Sequence, residues 1–147
     1  MPAGPTELGF VYFATVKLVG YTAFCKWVIT PQLTYAADSL PNPPSAWKAG
    51  AARTLIGVGI GVVLGLAFWR APYFANHDFY DNGIFFLMLL PARIGEWWLL
   101  LRWIYRDFPL GGGRRAAIIA EGIVASFMLD LVGVFTALVV PGGMWVC

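Results

Sequence analysis

Charge is what this sequence has least of. Asp, Glu, Lys and Arg make up 12% of its 147 residues, about half the share of an ordinary soluble domain. That is too few to cover a water-facing surface, while 59% of the residues are hydrophobic and the mean hydropathy is +0.70. Ten basic and eight acidic residues leave a net charge of +2, with the basic ones dispersed among apolar neighbours. No basic stripe could follow a phosphate backbone, which argues against nucleic acid as a partner.

Histidine and cysteine are nearly absent as well. His77 is the single histidine, and His77-Asp78-x-x-Asp81 is too thin a ligand set for zinc. No second histidine exists to ligate haem from another helix. Neither a metal nor any other cofactor is expected. The two cysteines, Cys25 and Cys147, form no C-x-x-C pair, which argues against a thiol-redox enzyme. The terminal Trp145-Val-Cys147 is not a prenylation box. Gly-rich phosphate loops, Gly-x-Ser-x-Gly elbows and His-Glu-x-x-His are all missing.

What is present is hydrophobic length. A membrane-crossing helix needs about 17–25 mostly apolar residues. Four such segments fit, at about 8–30, 53–69, 83–105 and 116–140. The first has no basic residues before it and is interrupted by Lys17, so it reads as a retained helix, not a signal peptide. The connector containing Asn42-Pro43-Pro44-Ser45 cannot be the interior of a helix. No soluble domain is left over. The expected fold is an all-α membrane protein, one integral domain over 1–147, folded as a bundle of four transmembrane helices.

Lys and Arg in the connectors set the expected orientation. Lys48, Arg53, Arg106, Arg114 and Arg115 fall in the first and third connectors, and Arg70 alone falls on the other side. Both termini are therefore expected outside. This places Cys25 and Cys147 on opposite sides, too far apart for a disulfide. Trp27, Trp69, Trp103 and Trp145 fall near segment ends, where aromatic belts form. The expected location is a bacterial inner (plasma) membrane, with membrane lipids as partners and a homodimer or a larger membrane complex as the assembly.

Gly57-x-x-x-Gly61-x-x-x-Gly65 puts three glycines on one helix face, a glycine zipper that lets two backbones approach closely. The same spacing serves a dimer seam or a contact within the chain.

Lys17 and Lys26, Arg93 and Arg102, and Glu121 and Asp130 are each nine residues apart. Nine residues is about 13.5 Å of rise and half a turn of phase. Lys26, Arg102 and Glu121 then fall towards the inner face, where long side chains reach the interface. Lys17, Arg93, Glu96 and Asp130 fall near the midplane. Lys17 is about 13 Å and Arg93 about 15 Å from the outer helix ends. These four balance in charge, which is how buried ions become tolerable. Intramembrane ionisable residues also mark ligand and proton sites.

The third segment reads Pro91-Ala-Arg-Ile-Gly-Glu-Trp-Trp98 at its centre. Pro91 removes the bond to the Leu87 carbonyl, and with Gly95 it is expected to kink the helix. Four short helices with an embedded glutamate resemble the small multidrug transporters in outline. Here, however, the glutamate is in the third helix and shares its depth with lysine and arginine, which suits a cationic substrate poorly.

The function expected is a midplane site that binds or translocates an anionic lipid head group, a small anion or a proton. Lys17 and Arg93 would hold the anion, while Glu96 and Asp130 would exchange protons. An accessory subunit, with the charges fixing helix register, is the second expectation. A lipid-modifying enzyme ranks last because no nucleophile is visible.

Overall fold

The computed structural model describes residues 7–34, 42–68, 84–108 and 110–137. All secondary structure among them is helical. Helix α1 spans Glu7–Phe24 and continues through a π-helical turn, Cys25–Ile29, into the short α2, Thr30–Thr34. Helices α3, α4 and α5 span Ala46–Phe68, Ile84–Trp103 and Gly112–Ala137. His77, Arg70, Trp69, Trp145 and Cys147 lie outside the described residues.

The first segment does not stop at Pro31, as expected from its sequence. Proline has no N–H to give to the carbonyl four residues back, and its ring crowds that carbonyl. The π turn widens the backbone just before it. The Thr30 N–H bonds to the Cys25 carbonyl, five residues back, and the Thr30 hydroxyl donates to the same oxygen at 2.9 Å. The wider turn also corrects helix phase. The buried residues described in this rod are Gly9, Phe13, Lys17, Tyr21, Cys25, Ile29 and Leu33, one every fourth position. A regular helix would rotate such a series steadily away from its neighbours, and the π turn returns Ile29 and Leu33 to the inside.

Helix α3 begins well before the segment read from hydropathy. Pro43 and Pro44 prevent a helix upstream, and Ser45 starts one. Its Oγ accepts the Lys48 N–H at 3.3 Å, and its carbonyl accepts the Ala49 N–H at 3.1 Å. Arg53, taken from sequence as a connector residue, therefore lies two turns inside α3. Similarly, α5 begins at Gly112, so Arg114 and Arg115 are helical and not part of a loop.

Helix α1 packs on α3 and α5, and α4 packs on α3 and α5, which closes a ring of four neighbours. The pairings run antiparallel. Lys17 meets Asp130 while Tyr21 meets Ser126, and Arg93 meets Asp130 while Trp97 meets Ser126. Gln32 Nε2 donates to Glu121 Oε2 at 2.7 Å and ties α2 to α5.

By length and composition, one described stretch, Gly112–Gly133, can cross a membrane. Among the described residues no other stretch meets that measure. Polarity is nevertheless inverted relative to a water-soluble domain. Leu55, Leu66 and Phe135 are 71%, 73% and 67% exposed, whereas Arg53 and Asp130 are fully buried. Large exposed apolar residues occur on all four long helices.

Among the glycines whose surroundings are described, four stand where a side chain would collide with a neighbouring helix. A Cβ at Gly50 would strike the Thr22 backbone, and one at Gly122 would strike the Trp97 indole. A Cβ at Gly20 would meet Leu129, and one at Gly133 would meet Phe13. Around Gly59 there is open space. Gly50→Ala should therefore destabilise the fold by about 1–3 kcal/mol through overpacking. Gly59→Ala should be neutral or stabilise it by about 0.5–1 kcal/mol through helix propensity. Thermal unfolding in mild detergent reads both. Equal melting temperatures would contradict the α1–α3 contact.

Candidate functional site

The structure brings Lys17, Arg93, Glu96 and Asp130 together at the centre of the ring, and it adds Arg53. Lys17 Nζ lies 2.9 Å from Asp130 Oδ1, and Arg93 Nη2 lies 2.7 Å from Asp130 Oδ2. Arg93 Nη1 donates to Glu96 Oε2 at 3.0 Å. Arg53 Nη2 donates to the same Glu96 oxygen. The result is one chain of ion pairs, Lys17–Asp130–Arg93–Glu96–Arg53, linking all four long helices. All five residues are buried.

Arg53 alters the charge balance that the sequence suggested. Three cations now face two carboxylates, and the cluster carries a surplus positive charge. Part of that surplus is spread over aromatic faces. The Arg53 guanidinium lies 4.6 Å from the Tyr21 ring centroid and 4.9 Å from that of Trp97. Lys17 Nζ lies 4.4 Å from the Phe13 centroid. Cation–π attraction strengthens when the cation is desolvated, as here.

Ser126 forms a second tier. Its hydroxyl donates to the Gly122 carbonyl at 2.9 Å and accepts from Arg53 Nη2 at 3.2 Å, Trp97 Nε1 at 3.1 Å and Tyr21 OH at 3.3 Å. A hydroxyl oxygen has two lone pairs, so the longest contact, from Tyr21, is the weakest of the three. Trp97 can lie flat against α5 because Gly122 has no side chain. Tyr21 and Phe24 meet Trp97 edge to face, with centroids 5.9 and 5.3 Å away. Aromatic packing thus fixes the plane on which Arg53 rests.

A half-open cleft of about 320 Å³ lies between α1 and α3 and reaches this cluster. Phe10, Phe13, Val58, Val62 and Leu66 make its walls, and Lys17, Arg53 and Arg93 are its charged lining residues. Neither Glu96 nor Asp130 lines it. Among the described residues the cleft meets charged donors and no carboxylate. Arg53 Nε and Nη1 and Arg93 Nε are buried without a hydrogen-bond partner among the described residues. A buried donor left unsatisfied costs about 1–3 kcal/mol, more for a charged group. Beyond the cluster, away from the cleft, Cys25, Ile29, Leu33, Leu100, Tyr105 and Ile118 form an apolar plug.

The remaining candidate residues fall elsewhere. Gly57 is buried. A Cβ there would come within 3.2 Å of Arg53 Nη1 and 3.7 Å of Glu96 Oε1, so the missing side chain makes room for the ion pair. Gly61 lines the cleft, and the surroundings of Gly65 lie outside the described residues. Helix α4 runs on through Pro91, which is exposed, and through Gly95, where a Cβ would meet nothing within 4 Å. Lys26, Arg102 and Glu121 are exposed, half a turn away from their nine-residue partners.

Arg53, Tyr21, Trp97 and Ser126 were not singled out from sequence. Four-residue spacing carries their signal. Arg53 precedes Gly57 and Gly61 on one face of α3, and Gly122, Ser126 and Asp130 share one face of α5. No protein-family model matches the chain, and comparison with curated proteins and with solved structures finds no match either.

The charge surplus has a direct consequence for stability. Arg53→Met leaves two cations facing two carboxylates, and Glu96 keeps Arg93. Its cost should stay within about 1 kcal/mol, since an apolar replacement can equal a buried ion. Glu96→Leu leaves three cations around one carboxylate and should cost about 3–5 kcal/mol. Melting temperatures of the two variants in detergent decide. Equal losses would mean that the cluster is not overcharged.

Proposed function

We propose that the chain is an integral membrane protein of four spans, with both termini outside, and that its central cluster binds the head group of an anionic amphiphile. The inverted polarity supports the membrane reading. Large apolar side chains are exposed on every long helix, while five ionisable side chains lie inside. So many exposed large apolar side chains are unusual for a soluble monomer. With Arg53 inside α3, the basic residues that set orientation become Lys48, Arg106, Arg114 and Arg115 against Arg70, and the bias keeps its direction.

The observation that carries the ligand reading is the lining of the cleft. Among the described residues three cations and no carboxylate line it, and Arg53 Nη1 and Nε are buried without a hydrogen-bond partner. A guanidinium offers a planar fork of donors matched to a carboxylate or phosphate. The apolar walls suit a hydrocarbon chain, so head and tail of one molecule would be satisfied together. Access between α1 and α3 is lateral, from the outer half of the bilayer. The plug of Cys25, Ile29, Leu33 and Tyr105 closes the inner end, which favours binding over passage in this conformation.

A long-chain fatty acid and the alcohol of the same length separate the head-group contribution from that of the tail. The fatty acid should raise the melting temperature of the detergent-solubilised protein and the alcohol should not. Arg53→Met should fold and lose the effect, with affinity falling at least about tenfold, the order of one charge-assisted hydrogen bond. Equal stabilisation by acid and alcohol, or an unchanged response in Arg53→Met, would refute an anion site at Arg53.

A further inference from the structure

The inner end of the bundle carries a second cleft, of about 510 Å³, which the central cluster does not use. It lies between the end of α4 and the start of α5. Its lining is Trp98, Leu101, Arg102, Trp103, Arg106 and Arg115, with no carboxylate among them. Arg102 lies over Trp98, 5.6 Å from the ring centroid. The nearby acid, Asp107, makes an exposed 3.3 Å pair with Arg106 Nε and leaves Arg102 and Arg115 unopposed by it. Glu121, farther along α5, accepts from Gln32.

From this structure we infer that the cleft holds the phosphate of an anionic phospholipid from the inner leaflet. The proposal rests on the membrane reading above. Two independent features lead to it. First, three arginines converge where the positive-inside bias places the negatively charged leaflet, and basic pockets between helices on that side suit phospholipid head groups. Second, the surface of α4 leading into the cleft is an apolar track. Leu90, Ile94 and Trp98 are exposed at four-residue intervals, and the next residue in that series is Arg102. From Ile94, beside the midplane, to Arg102 the track runs about 12 Å, most of the roughly 15 Å depth of one leaflet. One acyl chain can lie along the track while its phosphate meets Arg102, Arg106 and Arg115. Trp103, exposed at the rim, is at the depth where indoles favour the head-group region. A free phosphate would use the arginines and leave the track bare.

The test uses the full chain in nanodiscs of phosphatidylcholine doped with phosphatidylglycerol. Native mass spectrometry of the released protein reads which lipid it retains. The wild type should retain phosphatidylglycerol well above its share of the bilayer. Inorganic phosphate at millimolar concentration should not displace it. Arg102→Gln with Arg115→Gln should weaken retention by roughly fivefold for each arginine removed. Both substitutions are on exposed residues away from the central cluster, so the fatty-acid response of the double variant should be unchanged. Retention that mirrors bilayer composition in an inserted protein would overturn this site alone, as would displacement by phosphate or full retention by the double variant. A chain that fails to insert would overturn the membrane reading along with it.

Discussion

The ion pairs from Lys17 to Arg53 are the constraint on which the rest of the structure depends. Buried charges are expensive, and here each long helix contributes at least one. No helix can slide or rotate far without stranding a charge from its partner. The glycines follow from this demand. Gly57 clears space for the Arg53–Glu96 pair, and Gly122 lets Trp97 lie close enough to α5 to reach Ser126. The π turn before Pro31 keeps the lower half of the first rod facing the same centre as Lys17 and Tyr21.

A surplus cation gives this framework a direction. Balanced clusters lock helices together and need nothing more. An unbalanced one, with three cations and, among the described residues, no carboxylate lining the adjoining cleft, is the basis for the anion proposed above. The cleft walls are apolar and buried apolar side chains lie beyond the cluster, a combination that suits the amphiphilic molecule proposed above.

Much of the central site was legible from Lys17, Arg93, Glu96 and Asp130, because a charge deep in an apolar segment is conspicuous. Arg53 was not, because it comes just after a proline-rich connector and was counted as a loop residue. The Ser45 cap that moves the helix start back to Ala46 was the missed signal. The glycine series was legible as one helical face, but its purpose was not, since spacing says that two groups approach closely and not which two. Pro31 misled in the same way. A proline ends a regular helix, and only the backbone reveals that a π turn has absorbed it. The four-span expectation rested on hydropathy, and among the described residues only Gly112–Gly133 qualifies by that measure.

The central claim concerns what faces Arg53 Nη1. An experimentally determined structure of the protein extracted with its native lipids, at a resolution that defines side chains, addresses it directly. The expected result is elongated density between Phe13 and Gly61, with its head against Arg53 and Lys17 and its tail leaving between α1 and α3. A closed cleft in which Arg53 Nη1 is bonded to the protein's own backbone or side chains would contradict the account, and the cluster would then be a purely structural lock.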